Sequence, residues 1–143
     1  DTVFTIGSHY AVNKSTYSCI AYVFADVPGF SKCSGYTGNG SANGTFVYTG
    51  FSPNWVMIKE TSGAGGWRVF DNLRPAFNSK YGLAVDSDAA QETATDRNKI
   101  DQLSNGFKLR MQYDDTNGSG GSYIYIAFGQ PIISNSGVCA TAR

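Results

Sequence analysis

The chain contains two copies of one strand–turn–strand pattern, and this repeat limits its architecture more than any other feature of the sequence. In the first copy the strands are Val3–Ile6 and Tyr17–Tyr22, and in the second copy they are Gly106–Leu109 and Tyr123–Phe128. An Asn-x-Ser turn lies between the two strands in both copies. The copies are offset by 103 residues at the first strand and by 106 at the second. Such internal similarity is typical of proteins built from repeated modules.

The repeat also predicts how the chain is divided. Residues 1–27 are interpreted as the closing hairpin of a preceding module, or as strands that swap into or complement another sheet. The main β-sandwich module is expected to span residues 28–133, and residues 134–143 are expected to form a C-terminal tail. The alternative interpretation is a chance similarity between two amphipathic hairpins.

Short strands separated by Gly- and Asn-rich turns dominate the chain. Gly106–Gln112 alternates apolar and polar residues, as expected of a half-buried antiparallel strand. Ser122–Phe128 and Tyr17–Ala25 are apolar on both faces, which predicts central strands covered on both sides. Further strands are predicted at Thr2–Ile6, Thr45–Tyr48, Trp55–Glu60, Trp67–Phe70 and Tyr81–Val85. With only one or two helical turns expected, in Ser87–Ala94, the pattern predicts an all-β, antiparallel β-sandwich or jelly-roll-like fold.

Composition narrows the class of partner. Eleven basic and eleven acidic residues give a formal net charge of zero, which disfavours nucleic acid and anionic membranes as partners. Two long stretches, Cys33–Ile58 and Thr116–Ala142, contain no charged residue. Both are broken by Gly, Ser, Asn and Pro, so no membrane insertion is expected. Charged residues make up 15% of the chain and aromatic residues 14%. This balance favours a folded, loop-rich β-protein over a disordered segment.

Few residues are available for metal or cofactor chemistry. His9 is the single histidine, and Cys19, Cys33 and Cys139 include no CxxC pair. Neither a metal site nor a cofactor is therefore expected. A disulfide between Cys19 and Cys33 is one interpretation of the cysteines, and three small buried thiols are the other.

Several motifs follow one another in order along nearly the whole chain. They are the aromatic strand and Pro-Gly turn of Ile20–Lys32, the glycine-rich segment Gly35–Gly40, the segment Gly44–Lys59, the Asp-x-x-Arg element in Trp67–Arg74, the segment Ile100–Arg110 and the closing strand Tyr123–Phe128. These motifs resemble a repeated β-domain of tail-fibre and other virion proteins of tailed bacteriophages, marine ones especially. The stretch from Gln130 to Arg143 is similar to the C-terminal end of such proteins. Cys33, Gly35 and Ser52 depart from the usual pattern.

The resemblance implies a location and an assembly rather than a chemical activity. A virion structural protein is expected, as a tail-fibre or capsid-fibre module for assembly and host adhesion, on the virion surface or otherwise extracellular. The resemblance further implies a homo-oligomer, such as a trimer or a polymer, and contacts with other virion proteins. No enzymatic activity is expected.

A lectin-like carbohydrate-binding module is the alternative function. Sugar rings pack their C–H faces on aromatic side chains, and both long uncharged stretches suit a neutral host-surface glycan. Four aromatic residues are candidate platforms for such a glycan, namely Trp55, Trp67, Tyr36 and Tyr48. The competing interpretation places the large aromatic side chains in the core or in a subunit interface.

The charged residues support two further interpretations. Asp71 and Arg74 are expected to form a structural pair that holds the turn into Pro75. A polysaccharide depolymerase is a remote alternative function, because glycoside hydrolysis needs two carboxylates. Its candidates are Asp86, Asp88, Asp114 and Asp115, which are equally well explained as turn and loop residues.

Overall fold

The strands are short and, wherever they pair, antiparallel. The computed structural model describes residues 3–73, 82–91 and 99–129, together with the backbone of 132–133 and 139–140. In chain order its strands are β1 (Ser31–Thr37), β2 (Phe46–Tyr48), β3 (Pro53–Glu60), β4 (Trp67–Asp71), β5 (Leu83–Ala84), β6 (Ile100–Leu103), β7 (Gly106–Leu109), β8 (Ser122–Gly129), β9 (Ile132–Ile133) and β10 (Cys139–Ala140). One helical turn, α1 (Asp114–Asn117), lies between β7 and β8. The predicted all-β, sandwich-like class is confirmed.

Two sheets enclose the core. The larger sheet has the strand order β1-β8-β3-β4-β5, and the smaller sheet has the order β2-β7-β6. Strand β8 lies between β1 and β3, although it follows both in the sequence. Tyr123 of β8 pairs with Tyr36 of β1 on one side, and Tyr125 pairs with Ile58 of β3 on the other. The centre of the larger sheet is therefore completed only after the chain has passed through the smaller sheet.

Alternate residues of the strands supply the core, because successive side chains of a strand point to opposite faces. In β8, Tyr123, Tyr125 and Ala127 are buried, while Ile124 on the other face is 48% exposed. The buried cluster between the sheets consists of Val47, Phe51, Val56, Ile58, Phe70, Ile100, Phe107, Leu109, Tyr123, Tyr125 and Ala127.

The structure also corrects several predicted elements. Residues 3–26 form no strand, so the strands predicted at Thr2–Ile6 and Tyr17–Ala25 are wrong for the described residues of these ranges. Their sequence pattern matches β7 and β8, which already fill those positions in the sheets. Strand β1 was not predicted, because its Ser and Gly residues lower the overall β-propensity of the segment.

The helix prediction was also misplaced. Residues 87–91 form bends and irregular backbone, and the hydroxyl of Ser87 accepts the N–H of Ala89 in a local turn. The rest of Ser87–Ala94 lies outside the described residues. The described part of the chain contains no helix that is long and apolar enough to cross a membrane.

Candidate functional site

A pocket of about 420 Å³ lies between the turn before β1 and the corner that joins β2 to β3. Its lining residues are Asp26, Val27, Pro28, Gly29, Ser31, Lys32, Tyr48, Thr49 and Gly50. We refer to it as the Tyr48 pocket. It combines an exposed aromatic ring, a carboxylate, an ammonium group and small turn residues.

The turn that forms one wall of the pocket follows from its Pro-Gly sequence. Proline presets φ at the second position of a type II turn, and glycine accepts the positive φ of the third. Gly29 has φ of 77°, and the N–H of Phe30 donates to the carbonyl of Val27 at 2.9 Å. Ser31 closes the turn with backbone hydrogen bonds to and from Val27. The turn therefore brings the residues on either side of it, Asp26 and Lys32, opposite each other.

Asp26 and Lys32 form the charged part of the pocket. The Lys32 Nζ lies 2.6 Å from the Asp26 Oδ2, and the N–H of Cys33 donates to the Asp26 Oδ1 at 2.7 Å. The hydrogen bond from Lys32, followed by that from Cys33, holds the pKa of Asp26 below its ordinary value of 3.8. At neutral pH the pocket therefore presents an ionised carboxylate beside a lysine ammonium group.

Tyr48 supplies the aromatic wall. Its side chain is 65% exposed, whereas the backbone around it is held firmly. The N–H groups of Thr49 and Gly50 both donate to the carbonyl of Asn105, at 3.0 and 3.2 Å. Gly50 has φ of 84°, a conformation that only glycine adopts readily. The exposed ring is thus presented to solvent from an anchored backbone.

Tyr36, a second glycan candidate, belongs to the core instead. Its ring stacks on that of Tyr123, with centroids 5.0 Å apart and planes 15° from parallel. Its hydroxyl donates to the carbonyl of Thr116 at 2.5 Å. Burial raises the pKa of Tyr36 well above its ordinary value of 10.0. The residue is a structural member of the two-sheet interior, as the competing interpretation expected.

Trp55 and Trp67 lie on the face of the larger sheet that points away from the core. Trp55 is opposite Phe128 in the sheet, with ring centroids 5.5 Å apart. Trp67 is opposite Lys59. Both tryptophans are half-buried, and neither lines the Tyr48 pocket.

The disulfide predicted between Cys19 and Cys33 is not formed. Cys19 and Cys33 are free thiols in this structure. Cys19 is exposed, so it is not a buried thiol either, because the segment around it packs into no sheet. Partial burial raises the pKa of the Cys33 thiol. The side chain of Cys139 lies outside the described residues.

Of the predicted Asp71–Arg74 pair, only Asp71 lies within the described residues. The Asp71 Oδ1 accepts the N–H of Leu73 at 3.1 Å, in a turn that follows β4. Arg74 lies outside the described residues. The carboxylate of Asp71 thus stabilises the turn through the backbone.

Two of the depolymerase candidates hold the loop that leads into β4. The Asp86 Oδ2 accepts the N–H of Trp67 at 3.0 Å. Asp115 accepts the N–H of Gly66 and forms a nearly buried ion pair with Arg68. Asp88 and Asp114 are exposed. Among the described residues, no three His, Cys, Asp or Glu side chains are grouped so as to hold a metal ion.

Sequence reasoning had not selected Asp26 and Lys32 for any site. The signal was present, however, because an acidic and a basic residue flank a Pro-Gly turn symmetrically. Residues so placed face each other across the hairpin once the turn closes.

Fold and pocket together define an antiparallel β-sandwich module with an exposed aromatic pocket beside its first strand. The chain belongs to the family described as "Domain of unknown function (DUF7483)", whose model matches residues 1–131. No curated protein and no solved structure matches the chain. The matched range includes both copies of the repeat.

Proposed function

We propose that the chain is a virion structural module of a bacteriophage, in a tail fibre or capsid fibre, that serves assembly and host adhesion at the virion surface. The resemblance of nearly the whole chain to repeated virion β-domains supports this proposal. The structural observation that carries it is a second apolar face on the larger sheet, on the side away from the core.

This outer face consists of the outward residues of β8 and β3 and the aromatic rings next to them. Ile124, Ile126 and Phe128 come from β8, and Trp55 and Met57 come from β3. Ile124 is 48% exposed, and the other four are half-buried. A sheet face with aromatic and branched apolar residues in contact with water is typical of an assembly surface.

The molar mass of the full chain in solution tests the proposal. Light scattering after size exclusion is expected to show a trimer or a larger assembly. Ile124→Asp puts a charge at the most exposed residue of the outer face and is expected to dissociate the assembly to monomers, because an unpaired charge is costly to bury. Leu103→Asp, at an exposed apolar position in the smaller sheet, is the matched control and should leave the mass unchanged. A monomeric wild-type chain would contradict the proposal.

Carbohydrate binding is the second candidate function, and the Tyr48 pocket favours it. An exposed tyrosine ring can stack against the C–H face of a sugar. The carboxylate of Asp26 accepts hydrogen bonds from hydroxyl groups, and the ammonium of Lys32 donates them. Because the two charges neutralise each other at 2.6 Å, the pocket suits a neutral glycan better than a charged one.

A glycan array with the full chain tests this second candidate. Tyr48→Ala is expected to weaken the binding of each glycan that the wild-type chain binds by about tenfold or more, the equivalent of about 1.4 kcal/mol. Its free energy of unfolding should change by less than about 0.5 kcal/mol, since the ring is exposed. Tyr10→Ala removes another exposed ring, far from the pocket in sequence, and should leave binding intact. Equal loss in both variants, or none in Tyr48→Ala, would exclude this pocket as the platform.

A further inference from the structure

The N-terminal copy of the repeat exposes side chains whose counterparts in the second copy are buried in the core. Phe4 is 62% exposed, whereas its counterpart Phe107 is fully buried. Tyr17 is 62% exposed, whereas its counterpart Tyr123 is 2% exposed. The same contrast holds for three further pairs: Ile6 and Leu109, Cys19 and Tyr125, and Ala21 and Ala127.

The two copies nevertheless share local structure in the turn between their strands. The side-chain amide of Asn13 donates to the carbonyl of Gly7 at 3.1 Å. The side-chain amide of Asn117 donates to the carbonyl of Met111, also at 3.1 Å. Both bonds span six residues, and the two pairs are 104 positions apart.

Two backbone hydrogen bonds repeat at the same offset. The carbonyl of His9 accepts the N–H groups of Val12 and Asn13, at 3.1 and 3.0 Å. Its counterpart, the carbonyl of Tyr113, accepts the N–H groups that correspond to these, those of Thr116 and Asn117. Three hydrogen bonds conserved between the copies argue against a chance similarity. The turn between Gly7 and Asn13 is therefore folded like the turn between Met111 and Asn117.

The contacts missing from the N-terminal copy indicate what it would bind. Asn117 is fully buried. It exchanges hydrogen bonds with the N–H and side chain of Asn39 and donates to the carbonyl of Ser41, in the loop after β1. Asn13 is exposed, and within the described residues its side chain bonds to Gly7 alone. A loop equivalent to that after β1, on another module, would supply what Asn13 lacks.

We propose that residues 4–22, the donor segment, complete a second β-module of this same fold whose own β7 and β8 are missing. Tyr17–Tyr22 would lie between strands equivalent to β1 and β3, with Tyr17, Cys19 and Ala21 facing the core. Phe4–Ile6 would lie between strands equivalent to β2 and β6. This inference does not depend on the virion assignment.

The acceptor has to be an incomplete module, because a complete copy has no vacant position. In this chain β8 is paired along its length with β1 on one side and β3 on the other. Likewise β7 is paired with both β2 and β6. At the start of the segment the match is limited, because Val3 corresponds to Gly106, where an added Cβ would lie 2.1 Å from the carbonyl oxygen of Val47. The donated pairing therefore begins at Phe4.

A two-module chain tests the proposal. Residues 28–103 are attached in front of Asp1 of the full chain, and Val3→Gly removes the backbone clash expected at that position. The remaining cysteines are replaced by serine so that only Cys19 reacts. In the single full chain with the same substitutions, Cys19 is expected to react readily with a thiol reagent. In the two-module chain it should react at least about tenfold more slowly, because it is buried in the completed core.

Two substitutions in the donor segment separate docking from non-specific protection. Ala21→Asp places a charge at the counterpart of Ala127, which is fully buried, and should restore fast labelling of Cys19 in the two-module chain. Ser18→Asp, at the counterpart of the 48% exposed Ile124, should leave Cys19 protected.

Three outcomes would overturn the proposal. Cys19 could react equally fast in both chains, or the two substitutions could act alike. Protection already present in the single full chain, at a concentration where light scattering shows a dimer, would instead assign the donor segment to a contact between complete copies.

Discussion

At the scale of single residues, Asn117 links the loop after β1 to the connection between β7 and β8. Its buried side-chain amide satisfies acceptors on Asn39, Ser41 and Met111, and its oxygen accepts the N–H of Asn39. Asn117→Ala leaves several of these groups without a partner, so we expect the free energy of unfolding to fall by about 2–4 kcal/mol.

Urea denaturation measures this difference through the transition midpoint. Asn13→Ala is the matched control, because Asn13 is the exposed counterpart of the same asparagine. Its effect should stay below about 0.5 kcal/mol. Equal effects of the two substitutions would show that the loop contacts of Asn117 contribute little.

Because of Tyr36, the free energy of unfolding is expected to depend on pH in the alkaline range. Burial raises the pKa of Tyr36 in the folded state above 10.0, so the unfolded chain loses this proton first. The protonated Tyr36 therefore contributes fully to the free energy of unfolding below the tyrosine pKa of the unfolded chain. This contribution is lost as the pH rises through the pKa of Tyr36 in the folded chain. Tyr36→Phe should cost about 1 kcal/mol at neutral pH, where the hydroxyl bond to Thr116 is lost.

The difference between wild type and Tyr36→Phe is therefore expected to shrink above the unfolded pKa of tyrosine, about pH 10. Urea denaturation at neutral pH and at about pH 11 measures it. Tyr10→Phe, at an exposed position, serves as the control. A difference that grows with pH would mean that the phenolate is better accommodated in the folded chain than in the unfolded one.

At the scale of elements, the pairing of β7 with β2 depends on a glycine. A Cβ at Gly106 would lie 2.1 Å from the carbonyl oxygen of Val47, and a backbone atom cannot give way as a side chain does. Gly106→Ala should therefore force β7 away from β2 and destabilise the fold by about 1–3 kcal/mol.

Thermal unfolding followed by circular dichroism measures this effect. Gly7→Ala is the control, since no atom lies within 4 Å of the added Cβ there. The control should unfold at nearly the wild-type temperature. If Gly106→Ala did so too, the close approach of the two strands would not matter for stability.

At the scale of the whole molecule, the module begins earlier than the boundary expected at residue 28. The carboxylate of Asp26 and the backbone of Val27 are hydrogen-bonded to β1, and the ring of Phe24 lies 5.6 Å from that of Phe128. Residues 3–22 contain only exposed positions. Deleting residues 1–22 should therefore lower the free energy of unfolding by less than about 1 kcal/mol, which corresponds to about 4 °C or less in the unfolding temperature of a chain of this size. A large drop in that temperature would place the segment in this chain's own core.

Three strands show which parts of the fold could be predicted from the sequence. The alternation in Phe107 and Leu109 correctly predicted a half-buried strand, and the apolar run around Tyr125 correctly predicted the central one. The expectation that this central strand is covered on both sides was wrong, since Ile124 is 48% exposed. Strand β1 escaped prediction, because its small polar residues owe their conformation to pairing with β8 rather than to propensity. Of the site, the sequence predicted Tyr48 but not Asp26 and Lys32, which the Pro-Gly turn brings to the same pocket.

Local patterns were enough to establish the all-β class, the repeat and the likeness of the two turns at Asn13 and Asn117, since these depend on residues close together in the chain. They could not tell which copy of the repeat is buried, because both copies have the same periodicity. That choice was made by tertiary structure: β8, not Tyr17–Tyr22, lies between β1 and β3. The physical reason is that a sheet position accepts one strand, and the copy that fills it leaves the apolar residues of the other in water.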